Sequence, residues 1–149
     1  MRMTLEEWLA ASKAKTHKTS RNEIASLLRA ADRDLADSQL AGLSLDRKFA
    51  IAYSATLLAA TAALAASGYR APNEGHHYWT IQSLAFTVEL DSKTIDQFDA
   101  FRRKRNIADY EAVGLISEAE ARSALILSRN LRVEVMKWLK KNHGELVGE

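Results

Sequence analysis

The sequence predicts an all-α fold, an up-and-down bundle of five or six helices, on three observations. Apolar residues recur at steps of three and four, and no alternating run exceeds four residues. Six glycines and one proline in 149 residues leave little turn chemistry for a many-stranded sandwich or barrel. Three hydroxyl-x-x-carboxylate signatures stand before apolar runs: Thr4-Leu5-Glu6-Glu7, Ser20-Arg21-Asn22-Glu23 and Ser117-Glu118-Ala119-Glu120. In such a capping box the hydroxyl and the later carboxylate satisfy orphan N–H groups at a helix start.

The first box opens a helix expected to reach about Lys15. The second opens a helix whose inner stripe is Ile24, Leu27, Leu28, Ala31 and Leu35. Gly42 interrupts the chain, and Ser44 can cap the next helix. From Phe49 to Ala66 the chain is uncharged for 18 residues. That is the lower edge of the roughly 17–25 residues needed to span a bilayer. About half of the stretch is alanine, and Ser54, Thr56 and Thr61 lie inside it, so its drive into lipid is weak. A helix buried on all sides of a bundle is the expectation, with no membrane partner. Gly68 can end that helix in the left-handed conformation, and Tyr69 to Gly75, with Pro72 and Asn73, forms the one conspicuous loop. A shorter helix carries Tyr78, Ile81, Leu84, Ala85 and Val88. Asp91 or Ser92 starts another, through Ile95, Phe98 and Phe101 towards Tyr110. Gly114 separates it from the last helix, which buries Ala124, Leu127, Leu131, Val135 and Trp138 and ends near Gly144. No repeat or linker divides residues 1–149, so a single domain is expected.

Composition removes several kinds of chemistry. With no cysteine there is no disulfide scaffold, thiolate metal site or thiol nucleophile. The 21 basic and 19 acidic residues leave a net charge of +2, so any affinity for nucleic acid must come from local clustering. No Walker loop, GxGxxG, HExxH or GxSxG occurs. His76 and His77 are adjacent and diverge by about 100° on a helix, with His17 and His143 remote, so no metal site or cofactor is expected. Met1 to Glu7 has no apolar core of a signal peptide, and the expected location is cytoplasmic.

The informative stretch is Phe101-Arg102-Arg103-Lys104-Arg105-Asn106-Ile107-Ala108-Asp109-Tyr110. Ile95, Phe98, Arg102, Arg105 and Asp109 fall within roughly 80° of one another on a helix. The stripe that faces the core therefore runs directly into Arg102 and Arg105, while Arg103 and Lys104 read as ordinary surface charge. Inward arginines are costly to desolvate unless paired or facing a wet cleft. Two readings are open. Arg105 and Asp109 form an internal salt bridge, in a bundle that acts only as a scaffold, or the guanidinium groups line a cleft for phosphate oxygens.

Arg105-Asn106-Ile107-Ala108-Asp109-Tyr110 resembles the Arg-Asn-x-x-x-His element of the HEPN superfamily (higher eukaryote and prokaryote nucleotide-binding domains). The similarity extends to the helix order, to the alanine-rich helix with Ala52-Tyr53-Ser54-Ala55, and to the loop ending in Gly75-His76-His77. It covers about Asp46 to Trp138. The resemblance implies a HEPN-like bundle that forms a homodimer, bringing two motif copies into one cleft. It further implies RNA or nucleotide as partner and metal-independent endoribonuclease chemistry, as in toxins paired with a nucleotidyltransferase-type antitoxin. The alternative within the family is a non-catalytic domain that binds RNA, nucleotide or a protein. By position Arg105 would hold the scissile phosphate, with Asn106 as its polar partner and Tyr110 in the histidine slot. Tyr110 departs from the pattern, because a phenol titrating near pH 10 is a poor general base, a loss of about 10²–10⁴ in rate. His76 or His77 would then be the source of an imidazole, and both join Arg102 and Arg105 as candidate nucleic-acid-binding residues.

Overall fold

The computed structural model describes the backbone of residues 3–110 and 114–148, and the side chains of 3–106 and 114–148. Among the described residues six helices carry the fold: α1 Leu5–Ala10, α2 Arg21–Asp37, α3 Leu45–Ala66, α4 His76–Gln82, α5 Ser92–Tyr110 and α6 Glu118–Asn142. Two-residue strands β1, Lys15–Thr16, and β2, Tyr69–Arg70, pair antiparallel. The architecture is the expected all-α bundle.

Alanine explains why α3 is the axis. Ala52, Ala59, Ala60, Ala62 and Ala63 are fully buried, and their small side chains let both α2 and α6 pack closely on α3. Among the described residues α3 is the one helix long and apolar enough to cross a membrane, and 61% of its most apolar window is buried inside the fold. Ile24, Leu28, Ala31 and Leu35 of α2 meet it as predicted, while Leu27 is only partly buried.

The α6 stripe is rotated from its predicted position. Ala124, Leu131 and Val135 are buried, but Leu127 and Trp138 are half-buried, and Ser128 and Leu139 take the inner places. Ser128 can lie inward because its hydroxyl donates to the Ala52 carbonyl at 2.8 Å and meets the Thr56 hydroxyl at 2.6 Å. A small, fully bonded side chain suits the tight α3–α6 crossing better than a leucine.

Two boundaries and one cap differ from the sequence reading. First, α1 stops at Ala10 rather than near Lys15, because Ser12 adopts a left-handed φ of 62° and the Lys13 N–H closes onto the Trp8 carbonyl. Trp8 anchors this turn, edge-on to Trp79 and Phe86. The chain then pairs with Tyr69–Arg70, which makes a strand of the start of the expected loop. Second, the Ser20 box is half-formed. Ser20 accepts the Glu23 N–H, but the Glu23 carboxylate instead takes the His17 ring nitrogen at 2.8 Å and the Thr19 hydroxyl at 2.6 Å. Third, α4 ends at Gln82 and passes into a 3₁₀ turn, Ser83–Ala85. There the Thr80 and Ser83 hydroxyls bond back to the His76 and Thr80 carbonyls. Glu89, at φ 55°, then lets the Leu90 N–H reach the Leu84 carbonyl, a closure for which glycine is the usual signal.

The other caps hold. Thr4–Glu7 and Ser117–Glu120 form complete boxes, Ser44 caps α3, and Gly68 follows α3 at φ 94°. Asp91 starts α5 by accepting the Thr94 N–H and hydroxyl, two bonds that hold its carboxyl below the ordinary range.

Candidate functional site

The inner face of α5 changes character along its length. Ile95 and Phe98 are buried, and Phe101 stands edge-on to Phe49 of α3. One turn on, the same face carries Asp99, Arg102 and Arg105. Asp99 is 7% exposed, and its carboxylate accepts the Arg102 Nε–H at 2.8 Å. The Arg102 guanidinium lies over the Tyr78 ring, 5.5 Å from its centre, and that of Arg105 over the Tyr53 ring at 5.7 Å. Each cation is thereby seated on an aromatic face contributed by a different helix.

His77 completes the group. Gly75, at φ 68°, turns the loop into α4, and a Cβ there would lie 3.3 Å from the Trp79 ring. That entry sets His77 with its ring centre 6.0 Å from Tyr53 and 6.1 Å from His76. Burial, and then the charge of Arg105, hold its imidazole below the ordinary value of 6.5, with His76 and Arg102 acting in the same direction. His77 is therefore neutral at pH 7, with a ring nitrogen able to accept a proton. The Tyr53 hydroxyl is pushed up, chiefly by burial, although Arg102 and Arg105 pull the other way. It is a phenol throughout the physiological range.

The structure thus brings together Arg102, Arg105 and His77. His76 stands at the edge, exposed, with its Nδ1 3.3 Å from the Pro72 carbonyl. Asn106 is exposed on α5. The side chains of Asp109 and Tyr110 lie outside the described residues, and with them the Arg105–Asp109 pairing and the phenol in the histidine slot. Arg103 and Lys104 lie at the surface, and both make ion pairs there. Arg103 Nη1 also donates to Asp99, and Lys104 reaches Glu120 of α6 at 3.0 Å. Sequence reasoning missed Asp99 and Tyr53. The spacing of three and four residues from Asp99 to Arg102 and Arg103 was a usable signal. For Tyr53 the signal was an aromatic residue carrying a hydroxyl inside an alanine-rich helix.

Among the described residues, no three histidine or carboxylate side chains converge as a metal ion would require. A cavity of about 630 Å³ lies elsewhere, between α2, α6 and the turn after α6, and shares no residue with the arginine site.

No protein-family model and no curated protein matches the chain.

Proposed function

We propose that the arginine face of α5 binds the phosphodiester backbone of RNA, and that the chain is a metal-independent endoribonuclease of the HEPN type. The observation that carries this reading is the convergence of two aromatic-seated guanidinium groups with a neutral, half-buried imidazole. Arginine presents its donors in a fork matched to phosphoryl oxygens. A neutral histidine beside it has the protonation state that a general base requires.

In the reaction His77 takes the proton of a ribose 2′-hydroxyl as that oxygen attacks the adjacent phosphorus. The bond from phosphorus to the 5′-oxygen breaks, and solvent protonates the leaving oxygen. Arg102 and Arg105 hold the charge that builds on the non-bridging oxygens. The products are a 2′,3′-cyclic phosphate and a 5′-hydroxyl end. Here the imidazole comes from α4, which removes the chemical demand on Tyr110. A homodimer pairing two such faces, held in check by a nucleotidyltransferase-type antitoxin in the cytoplasm, is part of the same proposal.

The second reading is an RNA- or nucleotide-binding domain without catalysis, favoured by tyrosine at position 110 and by the exposure of Asn106. Incubating purified protein with single-stranded RNA and a chelator separates the two. Cleavage to cyclic-phosphate ends, lost in His77→Asn and Arg105→Ala, is the expected result. Binding without cleavage selects the second reading, and neither binding nor cleavage overturns both.

A further inference from the structure

Tyr53 is 1% exposed, and no group among the described residues hydrogen-bonds its hydroxyl. Other buried hydroxyls nearby are satisfied. Thr56, one turn along α3, bonds Ser128, and Thr80 and Ser83 bond backbone carbonyls. Two further buried polar atoms lack a hydrogen bond, but they belong to groups engaged through other contacts. Asp46 accepts the Gly114 N–H through its second oxygen, and the Arg132 guanidinium pairs with Asp32. Tyr53 alone in that set has its whole polar function unmet. A phenylalanine would fill the same space without leaving a donor stranded, so packing does not account for the oxygen.

Its surroundings say what would. The Arg105 guanidinium of α5 lies over the Tyr53 ring, and the charges acting on the phenol, those of Arg102, Arg105 and Asp99, all come from α5. What covers that face of the ring is the Arg105 guanidinium, the end of a long side chain. An anion bound by Arg105 would stand close to this ring and bring an acceptor towards the phenol. Two flanking guanidinium groups select an anionic oxygen over a neutral one.

Resting on the phosphodiester reading above, we propose that Tyr53 is a positioning residue of the site. Its hydroxyl donates a hydrogen bond to a non-bridging phosphoryl oxygen of the strand held by Arg102 and Arg105. It fixes the phosphate against the floor of the site, leaving proton transfer to His77.

Tyr53→Phe in the full chain tests this, with thermal stability and affinity for a short single-stranded oligoribonucleotide measured over a range of salt. The melting temperature is expected to hold or rise, since an unmet donor is removed. Affinity is expected to fall about ten- to a hundredfold, the worth of a hydrogen bond to a charged group. The slope of affinity against salt should not change, because no charge is lost. Unchanged affinity overturns the proposal, and a drop in melting temperature with unchanged affinity assigns the hydroxyl to a buried water. If stability and affinity fall together, the tyrosine ζ-carbon resonance of the unmutated chain decides. A shift of the Tyr53 signal on adding the oligonucleotide supports the bond, and no shift overturns it. Arg105→Ala keeps the two levels apart. Intact affinity there fails the phosphodiester reading itself, whereas loss at Arg105 without loss at Tyr53 fails only this inference.

Discussion

Removing the Arg105 guanidinium subtracts a phosphate ligand and, at the same time, one of the charges that hold His77 neutral. Arg105→Ala should therefore weaken oligoribonucleotide binding and make the salt slope shallower by about 0.7, one contact to a single strand. The His77 titration, followed by NMR, should move up towards its ordinary value but not reach it, since burial is the larger cause. Loss of the Arg105–Tyr53 cation–aromatic contact should itself cost no more than about 1 kcal/mol. A large loss of stability with RNA binding intact would return Arg105 to a structural role. Lys93, exposed at the start of α5, is the neutral control. Arg103 cannot serve, because it shares Asp99 with Arg102. Asp99→Asn should push stability and binding in opposite directions. A half-buried Arg102 loses its counter-charge, at a cost of about 1–3 kcal/mol, while the less neutralised arginine face binds the oligonucleotide more tightly. Equal losses in both would show that Asp99 only maintains the fold.

Between helices, the Thr56–Ser128 contact is the polar rivet of the α3–α6 seam. Ser128→Ala should cost about 1–3 kcal/mol by leaving the Thr56 hydroxyl without its partner. Thr56→Val added to Ser128→Ala should recover most of that, because two apolar groups of similar shape leave nothing unmet. Additive losses in denaturant titrations of the single and double variants would refute the pairing. This seam also marks where the sequence stops being readable. Helix starts were legible because Thr4, Ser44, Asp91 and Ser117 announce themselves chemically. Ends made by left-handed Ser12 and Glu89 were not, since the expected residue there is glycine. A serine facing the core looks like a surface residue until Ala52 and Thr56 are placed opposite it. The site divides the same way. Arg102 and Arg105 follow from periodicity within one helix, whereas Tyr53 and His77 meet them only through packing of α3 and α4 on α5.

At the scale of the molecule, the proposed dimer and the response to acid are the properties to measure. Ile126, 46% exposed, lines a shallow hollow with Gln97 of α5, so a second copy covering that part of the α5–α6 face would bury apolar surface. Sedimentation at micromolar concentration should give about twice the 16.6 kDa of the chain, and a monomer throughout would remove the shared cleft from the proposal. Acid should weaken the fold in two stages. His77 titrates below 6.5 in the fold and near 6.5 when unfolded, so the unfolded chain binds more protons in that interval. The resulting stability is complete above about pH 6.5 and is lost as pH falls through the depressed value. Glu23 and Glu120 are held below 4.5 chiefly by hydrogen bonds, Glu23 from Thr19 and then His17, Glu120 from the Ser117 backbone and then Lys104. Their contribution is present above that value and disappears only as pH falls further. Denaturant titrations from neutral pH to pH 3 should resolve the upper stage separately. His77→Asn should abolish that stage and leave the lower one, and Arg105→Ala should shrink it by relieving part of the repulsion. RNA cleavage should follow the same group, rising with pH through the depressed His77 value and levelling off before neutrality. A cleavage profile that instead climbs towards pH 10 would move the proton transfer from His77 to a tyrosine.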